Sequence, residues 1–326
     1  MSPLFGRRRG AAVDPAVLEA EAQRDAESLA RLEQGRIPRR AAERLAALAS
    51  AEPGAGAFSS DLSVDEFALL HRLGIEPVTV VMGSSIYHVG WQNVYYDSPT
   101  EVGPISHAYN ESRRLALARL LEETETAGAD AVVGVRVQQG GHDWAVGSVE
   151  FVVVGTAVRL PEALRGDRGP VLTDLDGQGF WQLCSQGIRP VGIVASTSVH
   201  YAPAGMQTMR AQSGMFGTAW VNQELPDYTA GVYAARHRAM HGLSEQAKAL
   251  GADGIVGVRY DQHMRGNRVA RPMTMEREDL IVTLHAMGTA ICEDPALAQA
   301  IETPPVASTI LDLSAPPALR PTRPAR

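Results

Sequence analysis

The sequence predicts an α+β protein: two tandem β-α-β-β units behind an N-terminal helical arm. Three observations predict it. GADAVVGVRV (Gly128 to Val137) returns as GADGIVGVRY (Gly251 to Tyr260). Upstream, DLSVDEFALLHRLGIEPVTVVMGSS (Asp61 to Ser85) aligns without a gap against DLDGQGFWQLCSQGIRPVGIVASTS (Asp174 to Ser198), at an offset of 113 residues. Downstream, GTAV at Gly155 meets GTAI at Gly288. The offset grows from 113 to 123 to 133 in two steps, each in a loop. A duplicated domain whose second copy carries two loop insertions behaves in this way.

Each element has its own signal. Asp14-Pro15 reads as an N-cap followed by proline at the first helical position. Leu18, Ala22, Leu29 and Leu32 then share a helical face. Gly35 stops this helix and Pro38 helps to start a second, with Ile37, Ala41, Leu45 and Leu48. The arm and the linker AEPGAGA occupy residues 1–57. The first unit spans 58–160, a linker 161–173, and the second unit 174–293. In each unit a short helix (Phe67, Leu69, Leu70 and Leu73; then Phe180, Leu183 and Ile188) ends at Gly74 or Gly187. The β-branched runs after Pro77 and Pro190 are too short for a buried helix and read as strands. After a polar loop, helices are expected over about 106–126 and 229–250, closed by Gly128 and Gly251 in the left-handed conformation. Asp130 and Asp253 suit hydrogen bonds to nearby backbone in the turn. A second strand, a hairpin and a third strand complete each unit. Residues 294–326 are proline-dense and expected to be disordered, with STILDLS a candidate for strand addition to a partner.

Composition bounds the function. The length suits about two domains of roughly 100–200 residues. A net charge of −7 argues against non-specific nucleic-acid binding. Two cysteines, Cys184 and Cys292, give neither a disulfide framework nor a zinc motif, and point to the cytoplasm. No apolar run reaches the ~20 residues of a membrane helix. The basic start MSPLFGRRRG leads into an acidic helix where a secretion signal needs an apolar stretch. Lys248 is the lone lysine, and with the alanine richness this composition suits a GC-rich bacterium. No G-x-S-x-G elbow, P-loop or dinucleotide fingerprint is present, so an enzyme is not expected.

A strand, a loop, a helix running into GADAVVGVRV, and a strand ending VVVGTAVRL resemble the YbjQ family of small bacterial proteins. The resemblance covers about 78–160 and 191–293. It implies a dodecin-like β-α-β-β subunit fold, ring-shaped pentamers and a heavy-metal-binding label. The Gly-Gly-Arg-[Ser/Thr] step associated with the family before the main helix is missing here. Glu101/Glu224 and Arg113/Arg236 are the polar positions held in register across the two loops.

Those residues head the candidate list. Glu101, Arg113, Glu224 and Arg236 suit charge-assisted hydrogen bonds between subunits, or an anion site at the arginines. Ser84, Ser85, Thr197 and Ser198 end the first strands, where hydroxyls either line a small-molecule pocket or satisfy local backbone. His237 and His241 share a helical face at i and i+4, a metal-chelating spacing, although a structural zinc wants four ligands. Met206, Met209 and Met215 would suit Cu(I) or an adaptable apolar loop. Cys184 stands where the first unit has His71, and reads as a buried thiol. Cys292 and His285 fall on opposite faces of the last strand. A three-stranded sheet with one helix leaves sheet edges exposed, which invites pairing with other subunits. The edges lead to the expectation of a non-enzymatic, self-associating scaffold or binding module, and the resemblance implies that this homo-oligomer forms a ring of five chains. The alternatives are a metal buffer and an enzyme with an intersubunit site. The arm or the tail could dock a protein partner.

Overall fold

The computed structural model describes residues 15–50, 58–90, 96–140, 147–166, 169–213, 222–269 and 277–300. The arm is α1 (Pro15–Glu33) and α2 (Arg39–Ser50). The first unit follows with α3 (Val64–Arg72), β1 (Glu76–His88), β2 (Thr100–Glu101), α4 (Gly103–Thr126), β3 (Ala131–Gly140) and β4 (Ser148–Arg159). A short 3-10 turn (Glu162–Leu164) and β5 (Val171–Leu172) connect the units. The second unit holds α5 (Gly177–Ser185), β6 (Ile188–Ala202), α6 (Met206–Ser213), α7 (Pro226–Ala249), β7 (Gly254–Val269), β8 (Arg277–Glu293) and the terminal α8 (Pro295–Ala300).

Both units have the expected β-α-β-β order, and α4 and α7 have the same length of 24 residues. Each begins about three residues before the sequence suggested, because Pro104 and Pro226 sit in the first turn, where a missing N–H is harmless. Gly128 (φ 65°) and Gly251 (φ 67°) take the left-handed conformation just past the helix ends. Asp130 and Asp253 reach further than a local turn. Their carboxylates accept the Leu160 and Glu293 N–H groups, both at 2.9 Å, tying each helix end to the end of its last strand. The other repeated residues also converge. The Asp61 N–H donates to Thr156 and the Asp174 N–H to Thr289, while Arg136 pairs with Asp61 and Arg259 with Asp174. The opening aspartate, the VGVR arginine and the GTA threonine thus form one cross-strand lock in each unit.

The sheets run β1-β4-β3-β5 and β2-β6-β8-β7. Each has four strands, not the three expected from the sequence. The linker adds β5 in parallel beside β3, and β2 crosses from the first unit to pair with β6 of the second. Each sheet packs its long helix on one face: α4 on Val81, Val149 and Val153, and α7 on Val194, Val282 and Leu284. The closest crossing in the first unit is at Gly83. A Cβ added there would lie 2.7 Å from the Leu120 nitrogen and inside contact distance of the Ala116 carbonyl. In the second unit the roles reverse: Ser196 occupies the strand position and Gly242 faces it from the helix. Gly83→Ala must push α4 off its sheet and should cost about 1–3 kcal/mol, read as a lowered midpoint in urea unfolding.

The arm closes on its own chain. Ile37 and Leu45 of the α2 region are buried against Ala127, and Glu122 of α4 accepts the Ile37 N–H at 2.7 Å and pairs with Arg31 and Arg36. The stripe expected on α1 is not buried: Leu18, Ala22 and Leu29 are exposed. Charges join α1 to α2 instead, through Arg39–Glu27 and Arg40–Asp25. The short helices α3 and α5 pack together around Leu70, Phe180 and Cys184. Burial pushes the Cys184 thiol up to about 12, as befits a core cysteine. The chain does not go straight from Asp294 into the proline-rich tail, because α8 buries Leu297 in this same core. STILDLS and Met215 lie outside the described residues.

A buried polar cluster fixes the start of β8. Asp279 is fully buried; it accepts the Ala204 N–H at 2.8 Å and the Tyr201 hydroxyl, and pairs with Arg277. Burial, then the hydrogen bond to Asp279 and its charge, push the Tyr201 hydroxyl up to about 12.

Candidate functional site

The candidate site is the seam where α4 of the first unit meets the second sheet. Strand alternation gives that sheet two faces. Val194 and Leu284 look toward α7, while Val199, Tyr201, Ile281 and His285 look toward the first unit. Val102, Ile105, Tyr109 and Tyr96 of the first unit cover Val199, Tyr201 and Ile281.

Polar groups set the register of this seam. Asn110 acts as a surrogate strand partner: its Oδ1 accepts the Thr197 N–H at 2.9 Å and its Nδ2 donates to the Thr197 carbonyl at 2.8 Å. Ser106 Oγ accepts the Val199 N–H at 2.9 Å, and the Val199 carbonyl accepts the Val102 N–H at 2.8 Å. Arg113, only 4% exposed, donates to Thr197 Oγ1 at 2.6 Å and to Asn110 Oδ1. It also lies over the Phe151 ring, 5.7 Å from its centroid. Burial lowers the Arg113 guanidinium to about 10, which leaves it charged at neutral pH. His285 Nδ1 sits 2.7 Å from the same Thr197 hydroxyl, with Tyr109 and Phe151 against its ring.

Burial, then the Arg113 charge, drives His285 down to about 3, with Asp261 acting against the shift and His263 with it. The unfolded chain therefore takes up a proton near its ordinary value of 6.5 while the folded chain refuses it. Stability from this residue is complete above that value and falls as pH drops toward about 3. A His285→Gln chain should lose less stability than the parent between about pH 7 and pH 5 in paired urea melts.

The structure brings some of the sequence candidates together and separates others. Arg113 and Thr197 meet directly. Glu101 does not pair with Arg113: it lies in β2 opposite His200 and pairs with Arg238 at 3.3 Å. Glu224 and Arg236, their counterparts in the second unit, are exposed, with Arg236 over the Tyr260 ring at 5.6 Å. The Ser84 carbonyl accepts from Arg119 at 2.5 Å and the Ser85 carbonyl from Ser112 at 3.4 Å. Ser198 Oγ is buried without a hydrogen-bond partner among the described residues.

His237 and His241 are both exposed on α7, and among the described residues no group of three or more His, Cys, Asp or Glu side chains is placed to hold a metal. Two donors fall short of the four that a structural zinc needs. Met206 is exposed on α6, and Met209 is part-buried there.

Asn110, Tyr109, Phe151 and the seam role of His285 were missed from sequence. Their counterparts are Tyr233, Val232, Leu284 and Val152, so comparing the repeats for identity passes over them. That difference is itself the signal: one copy of each surface is sealed within the chain and the other is not.

Known proteins bear on this geometry. The YbjQ family profile, described as "Putative heavy-metal-binding", matches residues 76–161 and again 187–293. Encapsulin nanocompartment protein Rv1762c of Mycobacterium tuberculosis (strain ATCC 25618 / H37Rv) is 41% identical over 209 residues, 62% of this chain and 77% of that protein. A UPF0145 protein of Clostridium novyi is 36% identical over 92 residues, 26% of this chain and 86% of its own. A UPF0145 protein of Methanococcus maripaludis is 43% identical over 60 residues, 18% of this chain and 52% of its own. No solved structure matches. Among the described residues no helix is long and apolar enough to cross a membrane. With both matches falling on the two β-α-β-β units, this chain belongs to the YbjQ family, as a tandem duplication of its domain.

Proposed function

We propose that this chain is a non-enzymatic scaffold whose copies join head to tail into a closed ring. One observation carries the proposal: each half of the seam between the repeats has an uncovered counterpart on the outside of the chain. Ile86 corresponds to Val199 and Met82 to Ala195. Val199 is 1% exposed under α4, whereas Ile86 is 55% and Met82 51% exposed. Val152 and Val154 of β4 stand opposite Ser84 and Met82 and extend this apolar face. On the other side, Tyr233 of α7 takes the place of Asn110 and is 64% exposed. Arg236 takes the place of Arg113 and is also exposed.

Superposing one seam on the other brings Arg236 of one chain to Ser84 of the next, where Arg113 meets Thr197 within a chain. It also brings Gln223–Glu224 alongside the end of β1, where β2 lies alongside β6. This accounts for the glutamate and arginine held in register in both repeats: one pair serves inside the chain and the other between chains. A head-to-tail contact either closes into a ring or grows without limit. A ring of alternating repeats holds an even number of units, and the five chains implied by the family resemblance would hold ten. The mycobacterial relative is named as an encapsulin nanocompartment protein, which supports an assembly role over catalysis. Sedimentation velocity of the full chain at micromolar concentration tests the proposal: a closed multiple of the 34.9 kDa chain supports it, and a lone chain opposes it.

A further inference from the structure

Beside the seam, β3 and β4 of the first unit and β7 and β8 of the second enclose a cleft of about 470 Å³. Small-molecule sites commonly measure roughly 300–1,000 Å³ and combine apolar walls with a few directed polar groups. This cleft has that character. Val135, Val137, Phe151 and Met287 supply apolar wall, and Arg113 and His285 reach it from the seam.

Both of these polar groups present donors. Among the described residues, Arg113 bonds to the neutral oxygens of Thr197 and Asn110, and burial, with no carboxylate offsetting it, acts on its guanidinium. Of the other charges lining the cleft, Arg136 pairs with Asp61 and Arg259 with Asp174, while Asp261 is exposed and sits 3.2 Å from His263. The Thr197 hydroxyl accepts from Arg113, so its single proton goes to His285 Nδ1. That assignment leaves the imidazole proton on Nε2, which is buried without a partner among the described residues. A buried cation without a counter-charge and a buried N–H without an acceptor are both costly to maintain.

We infer that this cleft binds a small carboxylate with an apolar body. Its carboxylate would take the free Arg113 and His285 donors, and its body would lie along the aliphatic and aromatic walls. One negative charge balances one unpaired cation, and the walls favour a hydrocarbon body over a bare inorganic anion. The site needs both repeats, so a single-domain relative could not build it within one chain.

Calorimetric titration of the full chain with benzoate, hexanoate, benzamide and inorganic phosphate tests this. At least one of the two carboxylates should saturate at one per chain, with benzamide and phosphate at least tenfold weaker. Arg113→Gln should weaken carboxylate binding at least tenfold, and His285→Phe several-fold. If Arg113→Gln fails to fold by circular dichroism, the benzoate–benzamide contrast on the parent chain and the His285→Phe titration still decide. The inference is overturned if neither carboxylate saturates below about 10 mM, if benzamide binds as well as benzoate, or if phosphate binds more tightly than both carboxylates. A neighbouring chain's carboxylate found in the cleft of the assembled particle would overturn it equally.

Discussion

An Ile86→Asp chain should sediment as a single chain at concentrations where the parent is a closed multimer. Ile86 is exposed within the chain, so the aspartate harms nothing there. In the proposed contact it occupies the place of Val199, which the first unit seals completely. Burying a carboxylate in an apolar contact without a partner costs several kcal/mol. Each ~1.4 kcal/mol is a factor of ten in affinity, so the contact should weaken by at least about a hundredfold. Arg236→Glu should have the same effect from the opposite face, by burying a carboxylate, which cannot donate, where the arginine would donate to Ser84. Both variants should keep the parent's unfolding midpoint per chain once the parent is diluted below its association range. Loss of folded structure in either would mean that the residue supports the fold rather than the assembly.

The second large effect lies inside the second unit. Asp279→Asn should destabilise the chain by about 3–5 kcal/mol, the range for breaking a buried ion pair by removing one partner. The carboxylate holds three elements together: the Tyr201 end of β6, the Ala204 backbone just before α6, and Arg277 at the start of β8. Asparagine keeps the size but leaves the Arg277 side chain, only 18% exposed, without its counter-charge. Urea unfolding should show the midpoint falling with little change in slope. A loss under about 1 kcal/mol would place Asp279 among ordinary surface pairs. Tyr201→Phe should cost less, since it removes one neutral donor and leaves the ion pair in place.

The duplication was legible in the sequence because its landmarks are backbone requirements. Gly128 and Gly251 must be left-handed, Asp130 and Asp253 must reach the last strand, and no other side chains serve as well at those places. The long helices were legible for the same reason, apart from first turns obscured by Pro104 and Pro226. The short additions were not legible. Val171–Leu172 and Thr100–Glu101 carry no periodicity over two residues, and their strand character comes from the sheets they join. The candidate site was half legible. Arg113 and Thr197 stood out separately, but their meeting depends on how the two units dock. The residues that specialise the seam, Asn110, Tyr109, Phe151 and His285, differ between the repeats and so fall outside any comparison based on sameness. The histidine pair at His237 and His241 has the spacing for metal, but its exposed helical face supplies no further ligands among the described residues.

The most direct test is to mix the two single-site variants. Ile86→Asp chains keep an intact α7 face, and Arg236→Glu chains keep an intact β1 face. Head-to-tail contact predicts that each alone is a single chain, and that an equimolar mixture forms a two-chain species capped at both ends, seen by native mass spectrometry. A mixture that stays as single chains while the parent assembles would contradict this account, as would either variant assembling alone like the parent.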